Sequence, residues 1–179
     1  MTNAIKVFAP ATVANVVCGY DILGFAIDCP GDEVVMRLTS KPGIVIKKIT
    51  GDEGRLPLNA DKNTVGVGVQ HYLNHIGKPQ QGVEIELYKK MPIGSGLGSS
   101  SASTSAGLVA INRLFNNLLT PRELIPFAMQ GEEIACGSAH ADNVAPAILG
   151  GFVLIRSYQP LDIIQLPYPD NLHCAIIFP

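Results

Sequence analysis

Three glycines set two residues apart, Gly94, Gly96 and Gly98, run straight into Ser99, Ser100 and Ser101. Glycine has no Cβ, so such a loop can take positive φ and bring backbone close to a ligand. The serines fall where a helix would begin. There the first N–H groups have no intrahelical acceptor and sit at the positive end of the helix dipole. A glycine-rich loop feeding a helix N-terminus holds anions, most often phosphate, so the pattern points to a nucleotide. Two common phosphate motifs are excluded by their letters. A Walker A loop requires Gly-Lys-Ser/Thr, and no lysine occurs between Met91 and Asn112. The dinucleotide fingerprint spaces its glycines GxGxxG, whereas Gly94 to Gly98 is GxGxG.

The flanking segments must hold this loop in place. Val83 to Lys89 reads as a strand, its end at Lys89-Lys90 solvated, and Ser100 to Asn116 as a helix. The small residues of that helix, with a stripe through Leu108, Ile111 and Phe115, suit close packing on a sheet. Further strands are expected at Ile5 to Phe8, Leu23 to Asp28, Glu33 to Thr39, Ile44 to Thr50 and Phe152 to Arg156. Turn signals stand between them at Pro30-Gly31-Asp32 and Lys41-Pro42-Gly43. Asn63 is placed to cap a helix over Thr64 to Ile76, which Gly77 and Pro79 stop. Thr120-Pro121-Arg122-Glu123 is a capping box with proline at the first helical position, and Pro126 should bend the helix it opens or delay its regular start. Leu172 to Pro179 reads as a last strand.

Composition narrows the function classes. A chain of 179 residues with 47% hydrophobic content has core material for one ordinary domain. A net charge of −2 without a Lys/Arg cluster argues against a nucleic-acid surface. No apolar run is long enough to span a bilayer, and the N-terminus reads at once as a strand rather than a secretory leader, so a cytoplasmic location is expected. Cys18, Cys29, Cys136 and Cys174 lack CxxC spacing, which favours reduced thiols over a zinc site. His71 and His75 stand four apart on one helix, but without a carboxylate at helical spacing they read as surface residues rather than metal ligands.

Pro92 to Ser100 fits the pattern Pro-x-x-x-Gly-Leu-Gly-Ser-Ser at every fixed position and so resembles the second signature of the GHMP small-molecule kinases. Ala9 to Gly24 is similar to the first motif of the homoserine kinases within that family, and His140 to Gly151 to their HxDNVAP segment. Three motifs in family order cover most of the chain. The resemblance implies an α+β fold like domain 2 of ribosomal protein S5, a mixed sheet with helices on one side. Residues 1–157 would form the N-terminal ATP-binding domain, and 158–179 the start of a truncated C-terminal domain or linking strands. The third glycine-rich motif of the family has no counterpart here, which implies a truncated chain.

By the same resemblance, the cofactors are ATP and Mg²⁺. ATP would lie over Pro92, Ile93, Gly94, Ser95, Gly96, Leu97, Gly98, Ser99, Ser100, Ser101 and Ala102, with Asn63 bordering the adenine. Ser100 and Glu132 match the metal positions; read without the resemblance, Glu132 and Glu133 are two exposed helix carboxylates. L-homoserine would meet Asn15, Asp21, His140 and Asn143; Asp142 beside Asn143 is the local candidate for a base, although binding is favoured over base catalysis. The implied activity is an ATP-dependent phosphotransferase that phosphorylates the homoserine hydroxyl in threonine biosynthesis. Alternatives are another GHMP kinase, of mevalonate or diphosphocytidyl sugar-alcohol type, or a non-catalytic nucleotide-binding module. A homodimer stays open, since an apolar face where a second domain packs could drive self-association.

Overall fold

The computed structural model describes residues 4–137 and 140–177, without the side chains of Ala135 and Cys136. Its frame is a long hairpin, β1 (Ile5–Val16) against β2 (Gly19–Thr39). β2 then serves two neighbours in turn. Its first half pairs antiparallel with β5 (Phe152–Tyr158) and its second half with β4 (Gly82–Tyr88). β3 (Ile44–Thr50) lies parallel to β4, and β6 (Leu161–Leu166) closes the other edge against β5. The sheet is therefore mixed, in the order β3-β4-β2-β5-β6 with β1 on β2. No described helix is long and apolar enough to cross a membrane.

Strand alternation supplies one wall of the core. Val34 and Met36 of β2 and Val83, Ile85 and Leu87 of β4 turn inward and are fully buried or nearly so. Of three longer helices, α1 (Thr64–His75), α2 (Ser99–Leu114) and α3 (Pro121–Cys136), α2 packs on this wall, and α1 and α3 pack on α2 and on each other. A short α4 (Val144–Leu149) follows. α2 lies against β1 and β2 and is touched by each of the other helices. Small residues make this possible. A Cβ on Gly107 would press on Val65 Cγ1, and one on Gly131 would meet the backbone of Thr64. One polar link crosses the core, where the buried Tyr72 hydroxyl donates to Asn112 Oδ1 at 3.0 Å. Burial raises the Tyr72 pKa to about 12, so it stays a donor.

Several expectations change. Pro30-Gly31-Asp32 makes no turn but runs on as strand, because Pro10 and Gly31 face each other in the β1–β2 ladder and Asp32 pairs with Ala9. Residue 157 lies within β5, and β6, in the segment expected to hold linking strands or the start of a further domain, carries the sheet on to Leu166. Residues 172–177 form no strand, and Phe178 and Pro179 lie outside the described residues. Pro126 sits inside α3, which starts regularly at Pro121 behind the Thr120–Glu123 capping box. Cys18, Cys29 and Cys174 are exposed free thiols, while the Cys136 side chain lies outside those described.

Candidate active site

Gly94, Gly96 and Gly98 all take positive φ, at 79°, 75° and 63°. For the first two, an added Cβ would meet open space, so their glycine serves the backbone conformation alone. Gly98 is constrained twice, because a Cβ there would also collide with Thr12 Oγ1 and Asn143 Oδ1. Gly98 caps α2 and offers no side-chain acceptor to the first turn. The first intrahelical bond of the turn runs from Ala102 N to Gly98 O, at 2.8 Å. The N–H groups of Ser99 to Ser101 thus face outward at the positive end of the helix.

They face a cavity of about 580 Å³. Ile93, Gly94, Ser95, Gly96, Gly98 and Ser99 to Ser101 form its floor, and Leu56, Pro57, Lys62, Asn63 and Thr64 one wall. Ser95 Oγ, like Ser105 Oγ within α2, is buried with no hydrogen-bond partner among the described residues. Asn63 does two jobs: its Oδ1 accepts from Val65 N to cap α1, and its Nδ2 donates to Pro57 O at 3.0 Å, tying down the wall loop. Pro92, Leu97 and Ala102, expected to touch the nucleotide, do not line this cavity. Pro92 and Leu97 open onto a separate hollow, and Ala102 points into the core as the helix rotates away.

Glu132 rises from α3 beneath the helix start. Its carboxylate accepts from Ser100 Oγ at 2.6 Å, Ser101 Oγ at 2.9 Å and Thr104 Oγ1 at 3.1 Å. The residue is only 5% exposed, and burial raises its pKa against the lowering effect of those three hydroxyls. Glu133, next in sequence, faces solvent. A hydroxyl and a buried carboxylate side by side at a helix N-terminus fit Mg²⁺, which takes few protein oxygens and keeps its waters.

At the opposite wall stand Asn15 and Asn143. Asn15 lies at the tip of the β1–β2 hairpin, where Asn15, Val17 and Asp21 all have positive φ. Asn and Asp tolerate this region, whereas a β-branched Val17 there is strained, and such strain gathers at functional sites. Asn15 Oδ1 accepts from Asp21 N at 2.9 Å, and Asn143 Oδ1 accepts from Thr12 Oγ1 at 2.8 Å. Both amides spend their oxygens on the protein, which leaves their NH₂ ends to donate to a ligand.

Asp21 and His140 stand together outside the cavity lining, Nδ1 to Oδ1 at 3.6 Å and both partly exposed. Tyr158 fixes them, its hydroxyl donating to Asp21 O at 2.6 Å and accepting from Ala141 N at 3.3 Å. Asp142 is 2% exposed, its carboxyl raised by burial, and it too is absent from the cavity wall.

Sequence reasoning missed Asp32, Lys89 and Thr12. Lys89, expected in a solvated strand end, is buried and ion-paired with the equally buried Asp32, while only Lys90 reaches solvent and pairs with Glu33 at 2.9 Å. The signal was there in the alternation. Asp32 continues the inward row of Val34 and Met36, and Lys89 the inward row of Ile85 and Leu87, so two opposite charges end two adjacent core-facing rows.

A mixed sheet carrying a glycine loop, a helix start without a side-chain cap and a serine–glutamate pair around one cavity has the chemistry to receive a polyphosphate with a divalent cation. Comparison makes this specific. A family model for the GHMP kinases N terminal domain matches residues 63–151. A homoserine kinase of Chlorobium phaeobacteroides is 51% identical over 96% of this chain and 57% of its own length. The crystal structure of homoserine kinase from Cytophaga hutchinsonii superposes with a TM-score of 0.91 at 63% identity, covering 96% of this chain and 54% of that one. The mevalonate kinase of Methanococcus jannaschii shares the fold, with a TM-score of 0.68 at 20% identity. The chain is thus similar over residues 63–151 to the GHMP kinases N terminal domain, and along nearly all of its length to part of these homoserine kinases. It spans 57% of the length of the Chlorobium enzyme.

Proposed function

We propose that this chain carries the nucleotide site and part of the acceptor site of an enzyme that transfers the γ-phosphoryl group of ATP to the hydroxyl of L-homoserine, giving O-phospho-L-homoserine. One observation carries the reading: a single cavity joins the start of α2, which has no side-chain cap, the Ser100–Glu132 pair and the amides of Asn15 and Asn143. The N–H groups of the loop and first helical turn would cradle the phosphates with dipoles already oriented, which stabilises shifting charge without reorganisation. Mg²⁺ held by Ser100 and Glu132 would neutralise phosphate charge. Asn15 and Asn143 would orient the amino acid's oxygens, and Asp21, whose backbone N–H is held by Asn15 Oδ1 outside the cavity lining, would pair with its ammonium. Phosphoryl transfer is served chiefly by positioning and electrostatics, so no dedicated base is required. Asp142, off the cavity wall, fits a binding and structural role.

The test is a coupled ADP-release assay on the natural gene product with L-homoserine, mevalonate and a diphosphocytidyl sugar alcohol, the product checked by ³¹P NMR. Homoserine alone should support turnover; turnover of another alcohol in its place rejects the substrate assignment. Asp142→Asn should keep kcat within about threefold, and a loss above roughly a hundredfold would make Asp142 the base.

A further inference from the structure

The loop over residues 92–98 carries three glycines at positive φ and would be expensive to order on demand. Yet both of its ends converge on one side chain. Asp32, fully buried on β2, accepts through Oδ1 from the backbone N–H of Lys90 at 2.8 Å and of Met91 at 3.3 Å, where the chain enters the loop. Through Oδ2 it accepts from Ser99 Oγ at 2.9 Å, where the chain leaves it, and from Ser103 Oγ one helical turn later at 3.0 Å. Lys89 Nζ completes the cluster. It pairs with Asp32 Oδ2 and donates to Ser99 O at 2.8 Å and Ser103 Oγ at 2.7 Å.

A buried carboxylate that merely balanced a lysine would need no backbone donors from the loop entrance and no hydroxyl from the loop exit. A turn stabiliser would bind one end only. Here the two carboxylate oxygens divide the work, one per end, with the β4 cation beneath. We propose that Asp32 is a positioning residue for phosphoryl transfer: it clamps entrance and exit of the glycine loop so that the N–H groups of the α2 start are aimed before nucleotide arrives. Asp32 touches no substrate. It acts through the loop, lowering the ordering cost of nucleotide binding and fixing the phosphates against the acceptor. This inference rests on the reading of the cavity as a nucleotide site.

Two measurements on the natural gene product test it. In the nucleotide-free wild type, hydrogen exchange should show the Lys90 and Met91 amides protected about 100-fold or more over those of Gly94 and Gly96. Comparable exchange at all four would mean that the clamp is not closed and would overturn the proposal without any variant. Asp32→Asn should raise KM for ATP and the dissociation constant of Mg·ADP about tenfold, with KM for homoserine within about twofold. A role in stability alone would lower the melting temperature and the active fraction while leaving both KM values in place, and that outcome also rejects the clamp. If the wild type binds Mg·ADP but does not phosphorylate homoserine, the substrate reading fails, while exchange and Mg·ADP affinity still decide the role of Asp32.

Discussion

Glu132 meets two demands that conflict in a folded chain. In the proposed function it would hold a metal as a carboxylate, yet burial raises its pKa, so folding favours the protonated form. The folded chain keeps that proton to higher pH than the unfolded chain does. Its contribution to stability is therefore complete below the ordinary carboxylate range and is lost as pH rises through the raised value. Glu132→Gln cannot ionise and keeps an acceptor for Ser100. It should leave the melting temperature near pH 4 about unchanged and raise it near pH 8. Its kcat should fall about 100-fold or more, through loss of the metal oxygen. A variant less stable at alkaline pH, or one with full kcat, would contradict this account. Asp32 and Lys89 present the opposite case, a charge pair so buried that removing either partner alone should cost about 3–5 kcal/mol. Neither could be recognised from its letter. Their burial follows from strand period and register, which place residues far apart in sequence side by side.

At the scale of elements, the helices were legible because their ends carry chemistry. Asn63 caps α1, and the Thr120–Glu123 box opens α3 with both of its reciprocal bonds formed. Thr120→Ala should lower stability by about 1 kcal/mol, measured by denaturant unfolding, and leave both KM values unaltered because the cap lies on the exposed side. A change in nucleotide KM would show α3 transmitting strain to Glu132. The strands were read less well, for a physical reason. Proline and glycine at Pro30-Gly31 look like a turn, yet in β2 Gly31 sits opposite Pro10, beside the ladder irregularity between Pro10 and Thr12. β6 carries no local signal, because its pairing with β5 is a tertiary fact: Ile163 is buried opposite Ile155 and receives Arg122 of α3 on its carbonyl.

For the molecule as a whole, the phosphate loop was read from the sequence because glycine spacing and a helix start are local features. The acceptor side was not. Asn15 and Asn143 are 128 positions apart in the chain and reach one cavity only because the β1–β2 hairpin folds its tip toward α4. Their roles came from resemblance, and the structure supplies the shared wall. That wall also explains why Gly98 is glycine: Thr12 and Asn143 occupy the place of its Cβ. The most direct test of this arrangement is calorimetric titration of Mg·ADP into the natural gene product and its Gly98→Ala variant. The account predicts one nucleotide site in the wild type and an affinity at least about tenfold weaker in a folded Gly98→Ala, whose Cβ strains the cap and pushes the phosphate floor off Thr12 and Asn143. No heat of binding in the wild type, or equal affinity in the variant, would contradict it.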